Sequence, residues 1–490
     1  MTAESRLTQF RRYLARPVDA ASLGAFRIWF GACVFIDALR YWDKVERYWI
    51  QTVVTFPLPG FSFLRPWPGD GMYVHYIVLA VAALAVMLGV AYRAAIVTLL
   101  LAHTYVFLLD ESNYLNHFYL IALLAFLLCW MPADRWGALK FGGAGQRKPA
   151  TVPFWTVFLL RSQLFLVYVF AGIAKLNPDW LRGFPIGYWI VDSASLPVIG
   201  PLFVHPLAGV GFAWGGLLYD LSVGFLLLFP RTRMFGLLWS AMFHLLNSQI
   251  FEIGIFPYLA MGATTIFAEP DWQRRVLHWV RRKLSSARLP DLAPARGPHR
   301  ESPLLATGAT ALVVGYLAVQ TLLPLRHWLI PGDVAWTEEG HILSWRMKLR
   351  NKEGELKAFV LENPRTGERT SHDPQQFLTH RQYGKMVTQP RMIQHYADWL
   401  ADRYEREYGT RPRVHVDVWV SLNGREFQRL IDPRVDLAAV KPTLGASPWI
   451  VPLTTPLRPM ATVLADRRAR IREHEAEQEA ADSTAVEPDL

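Results

Sequence analysis

The chain has 490 residues, a formal net charge of +10, and hydrophobic and aromatic contents of 52% and 13%. These apolar contents are high for a water-soluble protein of this length, and most of the apolar residues precede Pro324. The composition therefore excludes a uniformly soluble chain. It predicts a membrane-embedded N-terminal part followed by a polar domain.

Hydrophobic runs of about 20 residues are long enough to cross a bilayer as helices. Before Pro324 the sequence contains about nine such runs, some of them short, so we predict a polytopic α-helical membrane bundle of about nine transmembrane helices. The predicted spans are Ser22–Arg40, Met72–Val90, Ala94–Leu109, Asn113–Met131, Trp155–Ala174, Ala208–Phe229, Met234–Phe251, Gly254–Phe267 and Pro303–Leu323.

The basic residues between these spans are distributed unevenly. If the N-terminus is cytoplasmic, the opposite side holds only Lys44, Arg47, Arg65, Lys175 and Arg182. Positive residues favour the cytoplasmic side of a membrane, so this asymmetry predicts the topology and accounts for the basic balance without nucleic acid. An odd number of spans then places the C-terminal domain outside the cytoplasm. The compact bundle and short connections predict a bacterial inner membrane, with the active site facing the periplasm.

The pattern changes after Pro324. Ile342–Leu349 and Leu356–Leu361 are strand-like, and Arg391–Tyr408 has helical periodicity. Val414–Val420 alternates apolar and polar residues, and Asn423-Gly424 then predicts a tight hairpin. These features predict a C-terminal extracytoplasmic α+β domain.

We therefore predict a cytoplasmic amphipathic N-terminus (1–20), a transmembrane helical domain (21–324), an extracytoplasmic α+β domain (325–459) and a charged, partly disordered tail (460–490). Flexible cytoplasmic loops are expected at Asp134–Ala150 and Ser285–Arg300. The two cysteines, Cys33 and Cys129, lie inside predicted spans, so we expect neither a disulfide framework nor a cysteine-based metal site.

Ionisable and amide side chains inside spans are costly, which makes each a functional candidate. Near the external ends of the spans lie Asp110, Asn116, His117, Lys175, Asp220, His244 and Asn247. Each also has a structural interpretation, because a carboxylate can cap a helix and an intramembrane histidine can bond between helices. Arg27 and Arg161 are expected to pair with Asp37, Asp220 or backbone carbonyls.

Lys175 is the strongest candidate, because the sequence Leu-Asn-Pro-Asp-Trp that follows it turns the chain back. If the lysine points into the bundle, an apolar pocket favours its neutral amine, which can act as a base. Histidine and asparagine donors beside it could stabilise an oxyanion. The residues alone thus indicate a membrane enzyme or carrier with a buried base.

Six stretches in order resemble the vitamin K-dependent γ-glutamyl carboxylase family, whose bacterial members share the HTTM domain. They are FLLDESNYLNHFYLIALLAF (Phe107–Phe126), QLFLVYVFAGIAKLNPDWLRG (Gln163–Gly183), GGLLYDLSVGFLLLF (Gly215–Phe229), FHLLNSQIFEIGIFPY (Phe243–Tyr258), VHVDVWVSLNGREFQRLIDPRVDL (Val414–Leu437) and SPWIVPL (Ser447–Leu453).

The resemblance implies that Lys175 is the catalytic base that deprotonates reduced vitamin K (phylloquinol or menaquinol). The hydroquinone then reacts with O2, and the resulting strong base removes a γ-proton from a peptide glutamate. CO2 adds to the carbanion to give γ-carboxyglutamate, and the quinone leaves as the 2,3-epoxide. The family's Asn-His pair falls on Asn116 and His117. Cofactor-binding positions fall on His244, Asn247, His327 and Asp110, and no metal is implied.

Two alternatives remain open at this point. One is a quinol epoxidase or oxidase that does not carboxylate protein, because that half-reaction needs only the base and the quinol pocket. The other is a non-enzymatic membrane protein that binds lipid or quinone. The external domain favours the carboxylase, whose expected partners are a glutamate-containing polypeptide, a quinone and the bilayer. Animal carboxylases carry a further β-rich domain and usually a second lysine where this chain has Ala174, so recognition of a substrate propeptide is not implied.

Overall fold

The computed structural model describes residues 6–139, 151–197, 200–205, 207–284, 303–443 and 445–485. Most of the predicted loop Asp134–Ala150 and the whole of Ser285–Arg300 lie outside the described residues. Within the described part, the N-terminal region is a bundle of helices. The C-terminal region is a small sheet covered by helices.

The helices of the N-terminal region are α1 (Arg6–Ala15), α2 (Ala21–Arg40), α3 (Gly71–Leu88), α4 (Tyr92–Leu109), α5 (Asn116–Trp130), α6 (Phe154–Lys175), α7 (Pro178–Leu181), α8 (Ile186–Ile190), α9 (Gly200–Phe203), α10 (Ala208–Leu228), α11 (Arg233–Ile250), α12 (Phe256–Thr264), α13 (Trp272–Leu284) and α14 (Pro303–Leu325). Short strands β1 (Pro17–Asp19) and β2 (Thr151–Pro153) pair antiparallel beside α6.

Six helices among the described residues are long and apolar enough to cross a membrane, namely α2, α3, α4, α6, α10 and α14. The protein is therefore a multi-pass membrane protein, but nine spans are not confirmed. The predicted fourth and eighth spans form the shorter apolar helices Asn116–Trp130 and Phe256–Phe267. The predicted seventh span forms α11, which is long enough but carries His244, Asn247 and Gln249 in its C-terminal half.

Two buried arginines hold the bundle through backbone groups. Arg27 donates to the carbonyl oxygens of Val86 and Met87, both at 2.5 Å, and also to Ala133 and Gly137. Arg161 donates to the carbonyls of residues 266 and 268. Of the expected partners, backbone carbonyls are therefore the ones used, which satisfies both cations without an acidic residue. Asp220 remains available for another contact.

The C-terminal region contains α15 (Val334–Thr337), β3 (Lys352–Glu362), β4 (Arg369–Ser371), α16 (His380–Met386), α17 (Pro390–Tyr408), β5 (Arg413–Leu422) and β6 (Gln428–Arg429). The strands form an antiparallel sheet in the order β4-β3-β5-β6. Alternate residues of β5, from Val414 to Leu422, are buried as the sequence pattern predicts. Asn423 and Gly424 adopt positive φ angles of 54° and 76° in the predicted hairpin turn.

The predicted strand Ile342–Leu349 is wrong, because this segment is an irregular loop. Leu343, Trp345 and Lys348 all have positive φ angles, which a strand does not allow. The side chain of Trp345 is buried in the membrane bundle, where it stacks on Tyr119 with ring centroids 4.9 Å apart. Docking on the bundle thus overrides the local preference of this segment for a strand.

The two regions are joined by buried contacts. Val54 and Phe56, from the loop after α2, lie in the hydrophobic core of the C-terminal region. Gln382 of α16 donates to the Val54 carbonyl and to the Asp110 carboxylate at 2.8 and 2.9 Å. Helix α18 (Met460–Ala485) occupies most of the predicted tail, and residues 486–490 lie outside the described part of the chain.

Candidate functional site

A cavity of about 1530 Å³ lies where the helical bundle meets the C-terminal region. Its lining includes six of the residues singled out from the sequence: Asn116, His117, Lys175, Asp220, His244 and Asn247. These residues come from α5, α6, α10 and α11, which are separated in sequence. The fold therefore brings most of the predicted site together around one space.

Lys175, the last residue of α6, is 6% exposed, and its Nζ lies 2.5 Å from Oδ2 of Asp220 in α10. Both side chains are buried and both line the cavity. The Lys175 Nζ also lies 3.3 Å from the Ala171 carbonyl and 5.0 Å from the centroid of the Trp180 ring. Lys175 is thus half of a buried ion pair, a partnership that the sequence analysis did not predict.

Small residues allow α6 and α10 to approach closely enough for this pair. A Cβ atom added at Gly172 would lie 2.6 Å from a side-chain carbon and 3.0 Å from the backbone nitrogen of Leu221. The nitrogen cannot move without displacing α10, so only glycine fits here. Gly216 of α10 is also buried, and an added Cβ there would contact the Trp180 ring at 3.5 Å and Cε of Lys175 at 3.9 Å.

The turn after Lys175 is fixed from both regions. Oδ1 of Asn177 accepts a hydrogen bond from the Trp180 backbone N–H at 3.0 Å, which caps α7. The Asp179 carboxylate accepts two hydrogen bonds from Arg425, at 2.6 and 2.7 Å, and one from Asn423 at 2.8 Å. The hairpin of the C-terminal sheet is therefore hydrogen-bonded to the turn that follows the buried lysine.

The histidines of the bundle fall into two groups. His75 and His103 bond the carbonyls of Ala102 and Phe118 at 2.9 and 3.0 Å, so they link helices. His117 and His244 instead line the cavity, and both rings pack near Phe256, with centroid separations of 5.9 and 5.8 Å.

His117 and His244 retain hydrogen-bonding capacity. Neither ring nitrogen of His117 has a hydrogen-bond partner within the described residues. His244 Nε2 lies 3.2 Å from the hydroxyl of Tyr219, which donates to Ser240, whereas His244 Nδ1 is buried without a partner in the described chain. If Nε2–H donates to Tyr219, Nδ1 is a free acceptor.

The side-chain amides of Asn116 and Asn247 each use only part of their hydrogen-bonding capacity within the protein. Asn116 accepts a hydrogen bond from the Tyr114 hydroxyl at 3.3 Å, and that hydroxyl also accepts from the Leu343 N–H. Asn247 donates to the Phe243 carbonyl one turn earlier in α11. Each amide therefore has one group engaged and another available to the cavity.

Asp110 and His327 do not line the cavity. Asp110 is 1% exposed, accepts from the Ser112 N–H and Gln382, and so supports the turn that leads into α5. Burial raises its pKa to about 6, against the opposing effect of these hydrogen bonds. His327 bonds the Pro324 carbonyl at 2.8 Å and lies 3.5 Å from Arg346, which does line the cavity.

The end of the cavity formed by the C-terminal region is rich in cations. The lysines and arginines that line it there are Arg346, Lys348, Arg350, Lys352, Arg381 and Lys385. Glu338 accepts from Arg350 at 2.5 Å and from Lys352 at 3.2 Å. Lys348 lies over the rings of Trp189 and Phe251. Neither Lys348 nor Lys385 contacts a carboxylate of the described residues, so positive charge is in excess here.

Burial and mutual repulsion alter the ionisation of this end. Burial opposes ionisation of Glu338, but Arg350 and Lys352 overcome it and lower its pKa to about 2. Burial lowers the pKa of Lys352 to about 8 despite Glu338. Burial, together with the charges of Arg350 and Arg381, likewise lowers the pKa of Lys385 to about 8. Both lysines therefore remain largely protonated at pH 7 and lose charge in mildly basic solution.

Sequence reasoning missed the cation-rich end because its basic residues come from separate parts of the chain, the segment 346–352 and α16, and only the fold brings them to one cavity. It missed the role of Asp220, although a carboxylate in an apolar span signals that a partner exists. Within the described residues, no group of three or more His, Cys, Asp or Glu side chains could hold a metal ion.

Two protein families match the chain. Residues 15–272 match the HTTM domain family, and residues 306–456 match the family described as vitamin K-dependent gamma-carboxylase, lumenal domain. No solved structure matches the chain. The first match covers more than half of the chain, and the second covers the region that supplies the cation-rich end. The chain therefore belongs to the HTTM-domain family and is a homologue of the vitamin K-dependent gamma-carboxylases.

Proposed function

We propose that the protein carboxylates peptide glutamate to γ-carboxyglutamate, coupled to O2-dependent conversion of reduced vitamin K to its 2,3-epoxide. The observation that carries the proposal is the single cavity that joins the buried Lys175–Asp220 pair to the cation-rich end. The two ends match the two substrates, one apolar with ionisable hydroxyls and one acidic.

The residues at the membrane end fit a quinol. Aromatic side chains, including Trp180, Phe243 and Phe256, line the cavity beside Lys175 and His244. The unpartnered Nδ1 of His244 is a buried acceptor that a quinol hydroxyl would satisfy. Bound reduced vitamin K would supply, with O2, the strong base that removes the γ-proton of glutamate.

Lys175 is proposed as the group that accepts the proton of the quinol hydroxyl. A protonated amine cannot do so, and here the Asp220 carboxylate lies 2.5 Å from Nζ. In a low-dielectric site a buried acid–base pair can hold its proton on either partner. When the proton lies on Asp220, Lys175 presents a neutral amine to the cavity. Asp220 is thus proposed to keep the base in its reactive form.

The cavity histidines are proposed to orient the quinol. His244 is aimed by its bond to Tyr219, and His117 is held by its packing on Phe118 and Phe256. Asn116 begins the same helix turn as His117 and lines the cavity beside it. Hydrogen bonds donated by His117 and Asn116 would stabilise the quinolate oxygen after Lys175 takes its proton, whereas His244 Nδ1 would accept from a quinol hydroxyl.

The cation-rich end is proposed to bind the acidic peptide. Lys348 and Lys385 line the cavity without a carboxylate partner among the described residues. A glutamate side chain can provide the missing counter-charge and accept strong, charge-assisted hydrogen bonds. The glutamate would then be held at the end of the same cavity that contains the quinol.

A paired assay tests the proposal. The full chain in nanodiscs receives reduced vitamin K, ¹⁴C-bicarbonate and a short glutamate-containing peptide, and epoxide and fixed ¹⁴C are measured in one tube. We expect both products, and loss of both in Lys175→Ala but not in Lys357→Ala, a lysine exposed on β3. Epoxide without fixed carbon, for several acidic peptides, would favour the quinol epoxidase. Absence of both products from folded protein that binds quinol would contradict an enzymatic role.

A further inference from the structure

A second cavity, of about 340 Å³, lies at the far end of α6 from Lys175. Its lining comes from α1, the start of α6, the end of α10 and the start of α11. The α6 residues of its lining run from Phe154 to Phe165, and each helical residue rises about 1.5 Å, so along the helix this cavity lies about 15–30 Å from Lys175. The proposed reaction does not use it.

Three arginines line this cavity: Arg16, Arg161 and Arg233. The rest of its lining is aromatic or uncharged, namely Tyr13, Phe154, Phe158, Ser162, Phe165 and Leu228. No Asp or Glu of the described residues is part of the lining. The cavity therefore places three positive charges beside a mainly aromatic and aliphatic surface.

The contacts of the arginines do not neutralise this charge. Arg161 donates to the Ile266 and Ala268 carbonyls, which are neutral acceptors. Arg233 pairs with Glu269 at 2.6 Å, the one carboxylate that reaches the cluster from the described residues. The Arg16 guanidinium lies over the rings of Tyr13 and Phe154, 4.3 and 4.0 Å from their centroids. Two positive charges thus remain without a counter-charge.

The surroundings indicate the source of an anion. Next to the arginines, Leu228, Phe229, Met234 and Phe235 are 43–66% exposed on the outer surface of the bundle. In a membrane protein such apolar surface faces lipid chains. Guanidinium groups beside it lie at the depth of the headgroups, where they can bind phosphate oxygens in pairs.

We propose that this cavity binds the phosphate headgroup of an anionic phospholipid, whose acyl chains pack along Leu228, Phe229 and Met234. Arg16 is the arginine most open to the ligand, since it is exposed and only stacked on rings. This lipid site does not depend on the proposed carboxylase reaction, so an experiment that contradicts one does not contradict the other.

Native mass spectrometry of the purified full chain tests this site, with phosphatidylglycerol and phosphatidylcholine as probes. We expect preferential binding of phosphatidylglycerol. Arg16→Gln should weaken it about fivefold, because one cation near a phosphate contributes about 1 kcal/mol. Arg231→Gln is the matched control, since Arg231 is exposed on the connection between α10 and α11, two residues before Arg233, but does not line the cavity, and it should change binding less than about twofold.

The proposed site would be overturned if Arg16→Gln and Arg231→Gln weakened phosphatidylglycerol binding equally. Equal binding of phosphatidylglycerol and phosphatidylcholine would overturn it as well. Arg16→Glu provides a second variant and should weaken phosphatidylglycerol binding more than Arg16→Gln does. Inorganic phosphate is the remaining arm of the experiment. If it binds in an Arg16-dependent way while phosphatidylglycerol does not, the lipid headgroup is excluded as the ligand.

Discussion

The two ends of the large cavity handle charge in opposite ways. At the membrane end, one cation and one anion, Lys175 and Asp220, are buried together 2.5 Å apart among aromatic rings. At the other end, cations outnumber anions, and neither Lys348 nor Lys385 forms an ion pair with a carboxylate of the described residues, although Glu252 and Glu338 act on them at longer range. The Lys175–Asp220 pair is electrically balanced before any ligand binds, and the cation-rich end is not.

This difference indicates a division of tasks. A balanced, buried pair can move a proton without creating a net charge in a low-dielectric site. An unbalanced cluster gains most from an anionic ligand, because the ligand supplies the missing charge. Proton transfer is therefore expected at the membrane end and carboxylate binding at the other, and the following variants separate the two.

The largest effect is expected for Lys175→Ala. Loss of a positioned base should lower both epoxide formation and carbon fixation by about 10²- to 10⁴-fold. The rates are measured at saturating quinol and peptide, with Lys357→Ala as control. A variant that still makes epoxide at a normal rate would exclude Lys175 as the base.

A pair of variants then separates stability from chemistry. Asp220→Asn leaves a buried amine without its counter-charge, which should destabilise the protein by about 3–5 kcal/mol. Replacing both residues, as in Lys175→Met with Asp220→Leu, should restore stability, because apolar residues of similar size suit the site. Thermal unfolding in nanodiscs measures this.

The double variant should nevertheless make no epoxide. If the double variant were as unstable as Asp220→Asn, the loss of stability in Asp220→Asn could not be attributed to an unpaired Lys175. Restored stability together with restored activity would contradict the proposed role of the pair in proton transfer.

At the other end, Lys348→Ala and Lys385→Ala should each raise the KM for an acidic peptide. Loss of one charge-assisted contact of about 1–1.5 kcal/mol corresponds to a roughly five- to tenfold increase. The maximal rate of epoxide formation should stay nearly unchanged. The matched control is Lys357→Ala, and a fall in the maximal rate with an unchanged KM would place these lysines in the chemistry instead.

The smallest expected effect is on pH dependence. Because the pKa of Lys352 and of Lys385 is lowered to about 8, both are charged below that value and lose their charge as pH rises through it. The KM for an acidic peptide should therefore rise about two- to fivefold between pH 7 and pH 9. Lys385→Arg keeps its charge over this range and should flatten the rise. If the KM of Lys385→Arg rose with pH as it does in the unmodified protein, deprotonation of Lys385 would be excluded as the cause of the rise.

The sequence was sufficient to predict the helical bundle, the α+β region and the gathering of Lys175, His117 and His244. Hydropathy, alternation in β5 and the family motifs each rest on local patterns, which a sequence displays directly. The Lys175–Asp220 contact depends on how closely α6 and α10 approach at Gly172, and no periodicity specifies such a distance.

The cation-rich end was missed for a related reason. Between Ile342 and Leu349, the apolar residues are compatible with a strand of the polar domain, and that prediction gave no reason to place Arg346 and Lys348 in a cavity shared with the bundle. The segment instead bends at Leu343, Trp345 and Lys348 because Trp345 inserts into the bundle. A contact between distant parts of the chain decides this conformation, so local preference fails as a guide where the two regions meet.

The most direct test of the division of tasks is the ratio of fixed ¹⁴C to epoxide at a peptide concentration below KM. We expect Lys175→Ala to abolish both products. The double variant Lys348→Ala with Lys385→Ala should still form epoxide but fix several-fold less carbon, and added peptide should restore the ratio. If Lys175→Ala lost only carbon fixation, or if the double variant lost both products at every peptide concentration, the assignment of proton transfer and carboxylate binding to separate ends would be contradicted.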